Sequence, residues 1–183
     1  MKLLRRIALF KASLRFARWR SRAVPESGGE DSGVADFTPP DPAVEFPHPE
    51  NISLFNRLKK YARPGIPGVM GGYKASAHPD LTEILYDLAP ASAVKKGYAF
   101  GTAVMATPTG LVFAHTGGTH YIFLKLRQER FDEARKDGGR FDPTYGDDWI
   151  EFCIGGRTGV SADWKESLVR WVKISYQDSV SVR

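Results

Sequence analysis

Residues 98–126, YAFGTAVMATPTGLVFAHTGGTHYIFLKL, decide the fold of this chain. Apolar side chains recur at every second position, which is the period of β-strands, and two groups of turn-forming residues interrupt the pattern. We therefore predict three antiparallel strands, with Thr107–Gly110 as the first reversal. One face of the first strand is expected to carry Tyr98, Phe100, Thr102, Val104 and Ala106.

A second turn signal, Thr116–Thr119, predicts a hairpin with two histidines at its tip. Antiparallel pairing across that loop fixes which residues stand opposite each other. The expected pairs are His115 with His120, Phe113 with Ile122, and Leu111 with Leu124.

The predicted histidine pair indicates two kinds of chemistry. His115 and His120 would bind a metal ion if a carboxylate joined them, and Asp148 is the candidate, together with Asp142 and Asp147 of the same loop. The same imidazoles would also serve as a catalytic acid and base. A polar cap on the hairpin, without any chemistry, is the remaining interpretation.

The composition indicates one folded domain with an extension. The chain has 183 residues, of which 42% are hydrophobic and 26% charged, as in ordinary globular proteins. Cys153 is its single cysteine, which excludes an intramolecular disulfide and favours a reducing compartment. No apolar run is long enough to predict a transmembrane helix. We expect a cytoplasmic or membrane-peripheral protein.

The positive charge is concentrated at one end. The formal net charge is +5, and residues 1–24 contain 8 Lys and Arg residues and no acid. Apolar residues recur there at helical spacing, which predicts a basic amphipathic helix. Such a helix suits an anionic membrane surface, an import presequence in a eukaryote, or a groove on a larger protein assembly. Its expected contact residues are Arg5, Arg6, Arg15, Arg18 and Trp19. A solvated tail is the alternative.

Two further segments follow this helix. Residues 25–50 are rich in proline and acidic residues and contain no Lys or Arg, which predicts a disordered or extended linker. Residues 51–183 are predicted to form a single α+β domain. We expect an antiparallel meander sheet of about four strands with helices packed on one face, plus an extended N-terminal arm.

Part of the domain resembles a known family. From about residue 96 to residue 180 the chain is similar to the MmcQ/YjbR-like small α/β proteins, which are related in fold to the N-terminal domain of the competence regulator TfoX. Three segments carry the resemblance: the strand Ile122–Leu126, the aromatic-led strand Trp149–Phe152, and the pair Ser175–Tyr176 near the end of the closing helix. The resemblance implies a double-wing-like sheet that is often labelled DNA-binding.

These observations lead to one expected function and two alternatives. We expect a non-enzymatic binding or assembly protein whose N-terminal arm docks on a larger partner, because a charge-separated arm has no core of its own. Nucleic-acid binding is the first alternative, with Lys59, Lys60 and Arg63 meeting phosphates. The second is a metal-dependent or acid–base enzyme that uses the histidine pair. No cofactor is expected, since no glycine-rich fingerprint follows a strand.

Overall fold

The computed structural model describes residues 38–65, 69–90, 93–154 and 164–181. The strands in these ranges are β1 Lys95–Ala99, β2 Thr102–Ala106, β3 Val112–Gly117, β4 Tyr121–Lys125, β5 Gly139–Phe141 and β6 Trp149–Cys153. The helices are α1 Pro42–Glu45, α2 Asn51–Tyr61, α3 Pro79–Asp87, α4 Phe131–Lys136 and α5 Trp164–Val180. Within the same ranges, no helix combines the length and the apolar composition that a bilayer crossing requires.

The six strands form one antiparallel sheet in the order β1-β2-β3-β4-β6-β5. The predicted α+β class is confirmed. The predicted count of about four strands is corrected to six, because β1 and β5 are additional strands at the two edges of the sheet. The apolar period identified the central strands, whereas β1 has mixed burial and β5 has only 3 residues.

The stretch from Tyr98 to Ala106 is a hairpin and not the single strand that we predicted. Phe100 and Gly101 join β1 to β2 with φ values of 51° and 80°, and Ala99 pairs with Thr102. Positive φ at both central residues is typical of a type I′ turn. The usual Asn-Gly or Asp-Gly signal is absent, so the alternating pattern concealed the turn. Only glycine fits at 101, because a Cβ there would lie 2.1 Å from the carbonyl oxygen of Lys74.

The predicted register of the second hairpin is wrong. β3 continues through Thr116 to Gly117, which stands opposite Tyr121, so the loop is residues 118–120. Gly118 supplies the positive φ of 56° that the shorter loop needs. The observed opposite pairs are His115 with Phe123, Thr116 with Ile122, and Ala114 with Leu124.

Apolar side chains cover the sheet on both faces. On the first face, β-strand residues such as Ile122, Leu124 and Ile150 pack against α3, α4 and α5. On the second face, Phe123 and Trp149 belong to a separate cluster with Phe46 and the apolar side of α2. The prediction that helices pack on one face is therefore wrong. Every residue of β2 and β3 is buried, and such continuous burial requires cover on both sides.

The folded structure starts upstream of residue 51, the domain boundary that composition indicated. Asp41 begins α1 as its N-cap and accepts a hydrogen bond from the amide of Ala43 at 2.9 Å. The Phe46 side chain is 0% exposed because it fills the second-face cluster. The predicted helix 1–24 lies outside the described residues, as does the linker up to residue 37, so Arg5, Arg6, Arg15, Arg18 and Trp19 are not placed.

Asn51 connects the start of α2 to the sheet. Its side chain is 2% exposed and donates hydrogen bonds to the carbonyl oxygens of Phe46 and Gly110, at 2.9 and 2.7 Å. It also accepts one from the amide of Val112 at 2.9 Å. A single buried amide thus satisfies three backbone groups from two distant parts of the chain.

Candidate functional site

His115 lies within the second-face cluster and is 0% exposed. Its Nδ1 atom is 2.9 Å from the carbonyl oxygen of Thr116, so Nδ1 carries the proton and donates it to that carbonyl. Nε2 is buried without a hydrogen-bond partner among the described residues. Burial lowers the pKa of His115 to about 4, although the hydrogen bond to Thr116 acts in the opposite direction. The imidazole is therefore neutral at pH 7.

Aromatic rings surround this imidazole. Phe123 stacks on it with ring centroids 4.7 Å apart, and Trp149 and Tyr145 approach to 4.9 and 5.1 Å. Glu151 stands opposite Phe123 on β6 and forms an ion pair with Arg140 at 3.1 Å. Burial raises the pKa of Glu151, and the charge of Arg140 partly opposes that shift. Phe123 separates the imidazole from this carboxylate in the register, so the two are not placed as an acid–base pair.

The structure places the predicted catalytic and metal-binding residues apart. His120 lies in the turn at the Tyr121 end of β4, where its Nδ1 is 2.5 Å from the hydroxyl of Thr119. Asp148 lies at the other end of β4 and pairs with Lys125. Across the four described ranges, no group of three or more His, Cys, Asp or Glu residues is arranged to hold a metal ion.

Lys125 lies at the wall of a cavity of about 200 Å³ whose lining includes several charged residues. Its ammonium group is 3.2 Å from Glu50 and also pairs with Asp148. Asp178, which also lines this cavity, lies 3.9 Å from each of two arginines, Arg127 and Arg130. Positive and negative groups thus compensate each other, and their contacts tie the start of α2 and the end of α5 to β4.

A second cavity, which we call the acidic pocket, has a volume of about 250 Å³ and lies beside α1. Its lining includes Asp41, Glu45, Met70, Tyr73, Tyr98 and Phe100. None of its described lining residues is a lysine or an arginine. In the part of the chain that the structure describes, neither carboxylate has an ion-pair partner. Among the described residues, the pocket therefore combines negative charge that lacks an ion-pair partner with aromatic walls.

The charges of these carboxylates contribute to the raised pKa of two tyrosines. The pKa of Tyr73 is raised, first by burial and then by the charge of Asp41. The pKa of Tyr86, which contacts the Tyr98 ring, is also raised, chiefly by burial, with smaller contributions from Tyr98 and Glu45. The carboxylates of the acidic pocket thus add to a shift that burial dominates.

The backbone around the acidic pocket is unusual. A Cβ at position 97 would lie 2.5 Å from the Glu45 carboxylate and 2.8 Å from the Phe46 ring, so a larger residue there would displace these side chains. Among the described residues, the non-glycine positions with positive φ are Met70 at 47° and Phe100 at 51°, and both line this pocket. Such backbone conformations cost free energy and concentrate at functional sites.

The sequence did not identify the acidic pocket, because its two acids fall in the segment that composition assigned to a linker. One local signal was present. Asp41 followed by Pro42 is the typical start of a helix, with the acid as N-cap and the proline at the first helical position.

The predicted nucleic-acid residues occur together on the surface. Lys59, Lys60 and Arg63 are all exposed at the C-terminal end of α2. Tyr61 is 61% exposed, and the Lys60 ammonium lies 5.6 Å from the centroid of its ring. This patch thus presents cations and an accessible aromatic face to solvent.

No family model, curated protein or solved structure matches this chain. The resemblance to the MmcQ/YjbR-like proteins over about residues 96–180 therefore stays a prediction, as does the DNA binding that it implies.

Proposed function

We propose that this chain is a non-enzymatic binding protein that docks on a larger protein partner, and that the acidic pocket holds a basic side chain of that partner. The supporting observation is the pair of carboxylates, Asp41 and Glu45, without ion-pair partners among the described residues on an aromatic-walled cavity. A cation placed there gains attraction both from the carboxylates and from the faces of the rings.

The size of the acidic pocket favours a side chain over a larger ligand. Pockets for drug-sized molecules usually measure roughly 300–1,000 Å³, whereas this cavity is about 250 Å³. Its surroundings also suit a protein contact, because Val44 on the lining is 83% exposed and Val69 is 50% exposed. Apolar residues beside a pocket that holds one anchoring side chain are typical of protein interfaces.

The expected docking of residues 1–24 on a larger assembly or an anionic membrane stays a prediction from the sequence. The acidic pocket supports a binding function by a separate observation, made on described residues between Pro40 and Phe100.

We expect Glu45→Gln to weaken the binding of a basic peptide at least tenfold. The substitution removes one of two charges that face the bound cation while keeping the side chain's size, and tenfold corresponds to about 1.4 kcal/mol. Asp41→Asn should act in the same direction without unfolding α1, because asparagine is an equally good N-cap. The measurement is fluorescence polarisation of a labelled Lys- and Arg-containing peptide with the full-length protein.

The matched control is Glu83→Gln, which removes an exposed carboxylate from α3, away from the acidic pocket. It should leave the peptide affinity unchanged. The proposal would be contradicted if the wild-type protein bound no basic peptide at low salt. It would also be contradicted if the Glu45→Gln variant bound the peptide with the same affinity as the wild type.

The exposed patch at the end of α2 supports nucleic-acid binding as a second candidate function. If it contacts phosphates, affinity for single-stranded DNA falls steeply with salt, and Lys59→Gln/Lys60→Gln lowers the magnitude of the slope of log affinity against log salt by about 1.4, at roughly 0.7 per phosphate contact. Electrophoretic mobility shifts at several salt concentrations measure this slope. Lys165→Gln/Lys173→Gln, which changes two exposed lysines on α5, is the control. The absence of any shift at low salt would eliminate this candidate.

A further inference from the structure

We infer that the basic side chain held by the acidic pocket is an arginine, next to an apolar residue of the partner. This inference rests on the proposed function and adds the chemistry of the occupant. It follows from three features of the pocket: the spread of its acceptor atoms, the aromatic rings in its walls, and the exposed apolar residue at its rim.

The acceptor atoms are distributed along α1. Asp41 is the N-cap and Glu45 is the last residue of that helix. Asp41 uses one oxygen, Oδ1, to cap the amide of Ala43, and its other oxygen and the Glu45 carboxylate have no ion-pair partner among the described residues. A guanidinium presents five N–H donors in a rigid plane and bonds several separated acceptors at once. An ammonium concentrates its charge at one point and reaches them less well.

The walls also favour a flat cation. Tyr73 and Phe100 meet edge to face, with ring centroids 5.3 Å apart and an angle of 72° between their planes, and Tyr98 adds a third ring. Guanidinium groups stack on aromatic faces and are more weakly hydrated than ammonium groups. An arginine therefore loses less hydration on entering the acidic pocket than a lysine does.

The rim determines what lies beside the arginine. Val44 lines the pocket yet is 83% exposed, and α1 holds it in place through the buried Phe46 that follows. Contact with an apolar residue of the partner would remove this valine from water. The recognised segment is thus an arginine with an apolar neighbour.

A set of peptides that differ at one position tests this inference on the full-length protein. The position carries arginine, lysine or uncharged citrulline, and a fourth peptide keeps arginine but has serine in place of the apolar neighbour. We expect arginine to bind about tenfold more tightly than lysine, and citrulline and the serine peptide to bind more weakly than the arginine parent. Tyr73→Leu should reduce the ratio of the affinity for the arginine peptide to the affinity for the lysine peptide. The substitution removes an aromatic ring from the pocket while retaining an apolar side chain.

The outcomes separate this inference from the proposed function. Equal affinities for arginine and lysine, both weakened by Glu45→Gln, would overturn the arginine assignment and leave the binding function in place. Affinities that Glu45→Gln does not change would overturn both. Preferential binding of a peptide with the sequence of residues 1–24 would assign the pocket to the chain's own basic segment. Self-association that Glu45→Gln abolishes would assign it to a second copy, and either result overturns the inference. Thermal melting of each variant verifies that it is folded.

Discussion

Lowering the pH from 6.5 to 4 will destabilise the folded domain by about 3 kcal/mol through His115 alone. The pKa of this imidazole is lowered from 6.5 to about 4 by burial, and each pKa unit is worth about 1.4 kcal/mol. Within this window the unfolded chain binds a proton that the folded domain does not accept. Stability therefore falls as the pH falls. The physical cause is the aromatic surroundings, in which Nε2 has no acceptor among the described residues for a second proton.

Urea unfolding followed by circular dichroism at a series of pH values measures this effect. His115→Phe should remove most of the pH dependence between 6.5 and 4, because the phenyl ring keeps the stacking on Phe123 and does not titrate. His120→Gln, in the turn between β3 and β4, should keep the wild-type dependence. If His115→Phe and the wild type lose stability in parallel on acidification, the buried imidazole is not the cause.

Replacing Asn51 by alanine should lower the free energy of unfolding by about 4 kcal/mol. The substitution leaves the carbonyls of Phe46 and Gly110 and the amide of Val112 without their hydrogen-bond partner. Each buried group left in this state costs roughly 1–3 kcal/mol. Denaturant titration of the variant and the wild type measures the difference.

Two further variants make this test specific. Asn56→Ala changes an exposed asparagine of the same helix and should cost at most about 0.5 kcal/mol. Asn51→Asp keeps an acceptor for the Val112 amide but directs a carboxylate at two carbonyls, so it should destabilise at least as much as alanine. A value for Asn51→Ala close to that of Asn56→Ala would show that the three hydrogen bonds contribute little.

Local periodicity predicted the parts of the fold whose cause is local. Leu81 and Leu85 recur at helical spacing in the sequence, and both are buried on the inward face of α3. Trp171 on α5 is buried against the sheet. The turns were harder to predict from the sequence. The Phe100-Gly101 turn lacks the usual Asn-Gly or Asp-Gly composition, and Gly118 allows a shorter second loop than the one predicted.

The packing of α1 and α2 on the second face was not predicted, for a different reason. Whether residues 38–50 fold depends on Phe46 and Asn51 finding partners far away in the chain, and no local pattern carries that information. The candidate functional sites also depend on contacts between distant residues. The predicted pairing of His115 with His120 assumed a shorter β3, and the longer strand changes the register. Asp41 and Glu45 have the composition of a linker, and only the folded structure brings them together at a pocket.

The hydrogen bonds of Asn51 also bear on the order in which the domain is made. This residue lies 59 positions before Gly110 and 61 before Val112. During synthesis on the ribosome, α2 therefore emerges well before β3, and Asn51 cannot form these hydrogen bonds until β3 has also emerged. Trp149 follows later still. The second face is complete once Trp149 has emerged, whereas the first face lacks its cover until Trp164–Val180 has been made. The first face is therefore the surface that a chaperone would meet on an incomplete chain.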